Sequence, residues 1–73
     1  STSNDHIKLF GYQGQIFVKG IERLAELSVF DVSGRLIKKH VSDGDFSLPV
    51  GAGLWIVKLV TPAETISRTI RVN

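Results

Sequence analysis

The sequence predicts an all-β domain, an antiparallel sandwich of six or seven short strands. Three observations carry that expectation. Apolar and polar residues alternate over short runs, the period of a strand with one buried face. Gly, Asp, Ser and Pro punctuate the chain between those runs. No stretch is long enough, with the right spacing, for a stable helix, so alternating β and α units fit poorly.

Residues 1–5 read as a linker or frayed tail, and residues 6–73 as the folded domain. Ile7 to Phe10 forms a short first strand, stopped by Gly11 and Gly14. Gln15 to Lys19 follows, with Ile16 and Val18 on one face, and Gly20 ends it. Residues 21–24, IERL, suggest at most a single helical turn. Ala25, Leu27 and Val29 then point one way, while Glu26 and Ser28 point the other. Phe30 breaks the alternation, which places it on the outer surface or at one end of the core.

Asp31, Val32, Ser33 and Gly34 make a tight turn. Asp31 accepts a backbone hydrogen bond there, and Gly34 takes a positive φ without a Cβ penalty. The return strand covers Arg35 to Val41, and Asp43-Gly44-Asp45 turns the chain into a short strand, Phe46 to Leu48. Pro49, Gly51 and Gly53 mark a bend rather than a strand interior.

LWIVKLV is the strongest strand signal. Trp55, Val57 and Leu59 face the core, leaving Leu54, Ile56, Lys58 and Val60 on a reverse face apolar enough for an upstream domain or another molecule to cover. Pro62 breaks the run. The final strand turns Ile66, Ile70 and Val72 inward, and Arg68 shares their parity with its stem packed and its guanidinium at the rim. The expected core is Ile16, Val18, Leu27, Val29, Trp55, Val57, Leu59, Ile70 and Val72.

With 73 residues the chain suits one small domain, and its 42% hydrophobic content argues against disorder. Cysteine is absent, which excludes disulfides and thiolate metal sites. The net charge is only +2, with the signs interspersed. Lys38-Lys39-His40 is the densest basic spot, a weak footprint for nucleic acid and a natural solvated strand end. The longest wholly apolar run, Leu54 to Val57, is far short of the roughly 20 residues of a membrane-spanning helix. The polar start, STSNDH, lacks the basic and apolar regions of a secretory signal, so the leader of an exported protein would lie upstream of it.

Catalytic chemistry finds no constellation. His6 and His40 fall in unrelated segments without spaced zinc ligands, and read as surface histidines. Asp31, Asp43 and Asp45 could crowd near strand ends around calcium, but their spacing is not that of a calcium loop, and turns commonly use aspartate without metal. No serine is spaced with a histidine and a carboxylate as a triad, and the glycines do not follow a phosphate-loop pattern. The expectation is a non-enzyme without cofactor or metal. Tyr12, between Gly11 and Gln13-Gly14, reads as exposed, whereas Trp55 reads as core. An aromatic cluster around Tyr12 would favour a carbohydrate-binding module; exposed apolar residues on LWIVKLV would favour a structural-interaction module.

The combination of LSVFDVSGRLIKKH, GAGLWIVKLV and the final TIRVN resembles the C-terminal sorting domain of the type IX secretion system, of the type A-like kind. The resemblance spans Gln15 to Asn73 and is strongest from Leu27 onward. Asp31, Gly34 and Arg35 match its D-x-x-G-R turn. Gly53, Leu54, Trp55, Ile56 and Val57 match its G-V-Y-I-V-like strand, and Arg68, Ile70, Arg71 and Val72 its terminal basic-hydrophobic strand. Trp55 stands in place of the more typical tyrosine, arginines in place of the terminal lysine, and Pro62-Ala63-Glu64 lengthens the preceding connection.

The resemblance implies a small immunoglobulin-like antiparallel β-sandwich and a non-catalytic export address of a larger bacterial protein. It further implies transit through the periplasm to the cell surface or exterior. The implied partners are an outer-membrane translocon, a sortase-like processing protease and an upstream cargo domain in the same chain, with no nucleic acid and no direct membrane span. The residues implied to shape or present the address are Asp31, Gly34, Arg35, Gly53, Trp55, Arg68, Ile70, Arg71 and Val72.

Overall fold

The alternating runs do become strands, because each can bury one row of side chains while the other row stays wet. The computed structural model describes residues 7–73, so the expected linker at 1–5 and His6 lie outside the described residues. Seven strands follow in order: β1 Lys8–Tyr12, β2 Gln15–Lys19, β3 Ala25–Phe30, β4 Leu36–Ser42, β5 Phe46–Pro49, β6 Gly53–Val60 and β7 Thr65–Val72. They form an antiparallel sheet of order β1-β2-β5 and a second of order β4-β3-β6-β7.

The two sheets share one core. Ile16 and Val18 of β2 meet Leu27 and Val29 of β3 and Val57 and Leu59 of β6, all six inaccessible to solvent. Eight of the nine expected core residues are buried, and Ile7, Leu9, Ile21, Ala25 and Ile66 join them. Trp55 is the exception: it is half-buried and packs against the edge of the cluster. Its parity is inward as expected, but it stands near the start of β6, beyond the reach of the central layer.

The two lateral seams of the sandwich close differently. On one side β1 lies against β7. Gly11 belongs to β1 rather than ending it, because its missing side chain leaves room for the β7 backbone at Arg71 and Val72. On the other side β4 meets β5 through side chains. The His40 ring packs on Phe46 with centroids 4.6 Å apart, and Lys38 Nζ donates to the Pro49 carbonyl at 2.5 Å.

Other expectations shift by small amounts for local reasons. IERL forms no helical turn: Ile21 is buried, while Leu24 is 61% exposed. The loop is held instead by Asp45, whose Oδ1 accepts the Gly20 and Ile21 amides at 2.8 and 3.1 Å. The return strand starts at Leu36, because the Arg35 carbonyl accepts the Asp31 amide and the Arg35 amide donates to the Asp31 carboxylate within the preceding turn. Between Val29 and Phe30 the β3–β4 register slips, so that Val29 pairs with Lys38 but Phe30 with Leu36. That bulge and the lysines of β4 blunt an otherwise exposed edge.

Candidate functional site

Strand direction divides the connections between two poles. Ile7, the β2–β3 loop, the β4–β5 turn and the β6–β7 loop lie at one; the β1–β2, β3–β4 and β5–β6 connections and Asn73 lie at the other. Most of the residues singled out by the D-x-x-G-R, G-L-W-I-V and terminal motifs fall at or next to the second pole.

The turn Asp31–Arg35 is built by one carboxylate. Asp31 Oδ1 accepts the Ser33 amide at 2.9 Å, the Ser33 hydroxyl at 2.6 Å and the Arg35 amide at 3.0 Å. The Gly34 amide donates to the Asp31 carbonyl at 3.0 Å, and Gly34 sits at φ 92°, a conformation a side chain would strain. The Ser33 hydroxyl bond, then the Arg35 amide, hold the Asp31 carboxyl below its ordinary pKa. Arg35 is thereby left exposed on a rigid support.

Gly14 is the hub of the same pole. Its amide donates to the Asn73 carbonyl at 2.8 Å, and its carbonyl accepts the Val50 and Gly51 amides, both at 2.9 Å. The β1–β2 turn, with Gln13 at φ 48° and Gly14 at φ 78°, thus ties the β5–β6 loop to the end of β7. From that loop the Gly51 carbonyl accepts the Trp55 indole Nε1–H at 3.1 Å. Gly53, at φ 146°, passes beneath the same indole; a Cβ there would lie 3.7 Å from Nε1, ordinary contact distance. Gly53 is therefore required by its backbone angle rather than by crowding.

The terminal strand presents its residues on two faces. Ile70 and Val72 are buried anchors opposite Trp55 and Gly53. Arg71, opposite Leu54, is exposed on the outer face of the larger sheet. Arg68 stands apart from the pole, opposite Val57, and is exposed despite its inward parity because β7 is an edge strand. The structure thus brings together Asp31, Gly34, Arg35, Gly53, Trp55, Ile70, Arg71 and Val72 around one end, and leaves Arg68 near mid-strand.

Sequence reasoning read Gly14 and Gly51 only as punctuation between strands and gave Asn73 no role of its own. Gln13-Gly14 between two alternating runs is a readable hairpin signal, but nothing in the sequence reports which distant groups the Gly14 peptide holds. The three aspartates do not converge: Asp31 is at this pole, and Asp43 and Asp45 are at the other. Among the described residues no group of three His, Cys, Asp or Glu side chains is placed to hold a metal. Nor, among them, is any helix long and apolar enough to cross a membrane.

Both outer sheet faces carry exposed apolar groups. On the larger sheet, Leu36, Phe30 and Ile56 form a row across three strands, with Leu54 beside them. Leu36 is 49% and Leu54 44% exposed, and Phe30 and Ile56 are half-buried. On the smaller sheet, Phe10 and Phe17 stack with centroids 5.3 Å apart and planes 8° from parallel.

The class these features define is an all-β domain of seven strands in two packed sheets, with its carboxyl-terminal strand held at an edge. Compared with known protein families and with curated proteins, the chain matches none.

Proposed function

We propose that this domain is a non-catalytic sorting address of the type IX secretion kind, an immunoglobulin-like sandwich that directs an upstream cargo across the bacterial outer membrane. The observation that carries the reading is the convergence of three sequence-distant motifs on one pole. The Asp31–Arg35 turn, the Gly53–Trp55 segment and the end of β7 all lie at that end of the sandwich, with two arginines exposed on backbone held by hydrogen bonds. A receptor reading charge at fixed positions requires this kind of support, since ordering a floppy arginine on binding would cost affinity.

In this reading the outer-membrane translocon reads Arg35 and Arg71, while Asp31, Gly34, Gly53, Trp55, Ile70 and Val72 hold them in place. Arg68 supplies a further charge along the β7 edge. The chain enters β1 at the opposite pole, which keeps a sortase-like protease acting in the linker clear of the translocon. The domain is that protease's substrate and carries no catalysis, cofactor or metal of its own. Its passage is periplasmic and its destination the cell surface or exterior.

The test is surface delivery of an exported reporter fused to residues 1–73, in a bacterium possessing the pathway. Deleting Ile66 to Asn73 would remove the core residues Ile66, Ile70 and Val72 and confound recognition with unfolding. Arg35→Ala and Arg71→Ala leave the core intact. Together they are expected to shift the reporter from the surface to the periplasm at unchanged thermal stability. Delivery equal to the parent fusion would overturn the reading.

A second reading rests on the Leu36–Phe30–Ile56 row and Leu54. Exposed apolar groups on β6 are what a structural accessory domain would dock against its partner. That reading predicts loss of partner stability, and no redirection of the reporter, when Leu36 and Leu54 are made polar.

A further inference from the structure

The smaller sheet has an outer face that none of the above uses. Its two hairpin strands place Lys8, Phe10 and Tyr12 alongside Lys19, Phe17 and Gln15, matched pair by pair across the register. Their alternating neighbours Leu9, Ile16 and Val18 are buried, so these six side chains form the solvent side. Phe10 is 41% and Tyr12 54% exposed, although each belongs to a strand whose inner row fills the core. Phe17, half-buried, stacks on Phe10 and covers one face of its ring, leaving the rest of that ring to solvent.

Exposed aromatic rings suit the apolar face of a sugar. Phe10 and Tyr12 are two residues apart on one strand, about 7 Å along the sheet, the scale of one or two sugar rings. The Gln15 side chain beside Tyr12 is an amide able to bond hydroxyls. The Lys8–Lys19 pair ends the row with two positive charges. Asp45, near Lys19, is anchored through Oδ1 to the Gly20 and Ile21 amides and offsets one of the two lysine charges.

We propose that this face binds an acidic polysaccharide, with sugar rings laid on Phe10 and Tyr12 and a carboxylate or sulfate answered by Lys8 and Lys19. A single-stranded nucleic acid fits less well. It carries a phosphate at every nucleotide and calls for a basic groove along its whole backbone, whereas here the charge sits at one end of the row. The site is independent of the export reading: it lies on the outer face of the smaller sheet and uses none of the residues assigned to the address.

The test is affinity electrophoresis of the 73-residue domain in gels containing polygalacturonate, dextran or oligothymidylate. Polygalacturonate is expected to retard the domain, and dextran much less. Tyr12→Ala is expected to weaken binding by roughly three- to tenfold, the range an aromatic contact is worth. Lys8→Gln with Lys19→Gln should abolish the preference for polygalacturonate over dextran. All three positions are exposed, so unchanged circular dichroism and melting will show that the fold survives. No retardation by polygalacturonate, retardation that persists in both variants, equal retardation by dextran, or stronger retardation by oligothymidylate would each overturn the proposal.

Discussion

Gly11 of β1 and Val72 of β7 touch across the gap between the two sheets. A Cβ built on Gly11 would lie 2.6 Å from Val72 Cγ2 and 2.6 Å from the Arg71 carbonyl oxygen. One of those atoms belongs to backbone, which cannot swing aside as a flexible side chain can. The seam therefore exists only because position 11 has no side chain, and it joins the first strand to the last.

Gly11→Ala is accordingly expected to cost about 1–3 kcal/mol, the range for forcing an extra methyl into a packed site. Urea denaturation at equilibrium measures it. An alanine variant as stable as the parent would mean that β1 and β7 are not held this closely.

Leu27 and Leu59 face each other on neighbouring strands, both wholly buried. Truncating either to alanine should cost about 2–5 kcal/mol. Small domains have little stability to lose, so each variant should melt well below the parent or fail to fold. Leu24→Ala, by contrast, removes an exposed leucine and should shift the melting temperature little.

The Asp31 turn predicts a pH dependence. Its carboxyl titrates below the ordinary aspartate value because the Ser33 hydroxyl and the Arg35 and Ser33 amides bond the charged form. The folded state therefore binds fewer protons than the unfolded chain in that window. The stabilisation is fully present above the ordinary value, near about pH 4, and is lost as pH falls through the lowered one. Asp31→Asn should flatten the decline of melting temperature below that pH. An unchanged acid limb in the variant would show that the carboxylate does not hold the turn.

Gly53 and Trp55 separate backbone strain from a lost hydrogen bond. Gly53→Ala meets no crowded atom, yet it must adopt φ 146°, so it should destabilise the domain by roughly 1–3 kcal/mol. Trp55→Phe keeps an aromatic ring and loses the Nε1–H bond to the Gly51 carbonyl, with a smaller cost of about 0.5–1.5 kcal/mol. Equal losses in the two variants would argue against this division.

Strand content and the central layer followed from the sequence alone. Alternation along β2, β3 and β6 says which side chains must be buried, and Ile16, Leu27 and Val57 are buried because no other arrangement hides each apolar row. Asp31 and Gly34 were equally legible, since an Asp-x-x-Gly turn is a local matter of one carboxylate and one positive φ. Tertiary structure decided what depends on contacts between distant residues. Gly11 looks like a strand end until β7 is laid beside it, and Trp55 looks like core until its place near the end of the sheet is known. Gly14 bonds Asn73 across almost the whole chain, and Phe10, Tyr12 and Phe17 become one aromatic surface only when the β1–β2 register is set. Periodicity reports which face a residue is on; only packing between the sheets reports what lies against it.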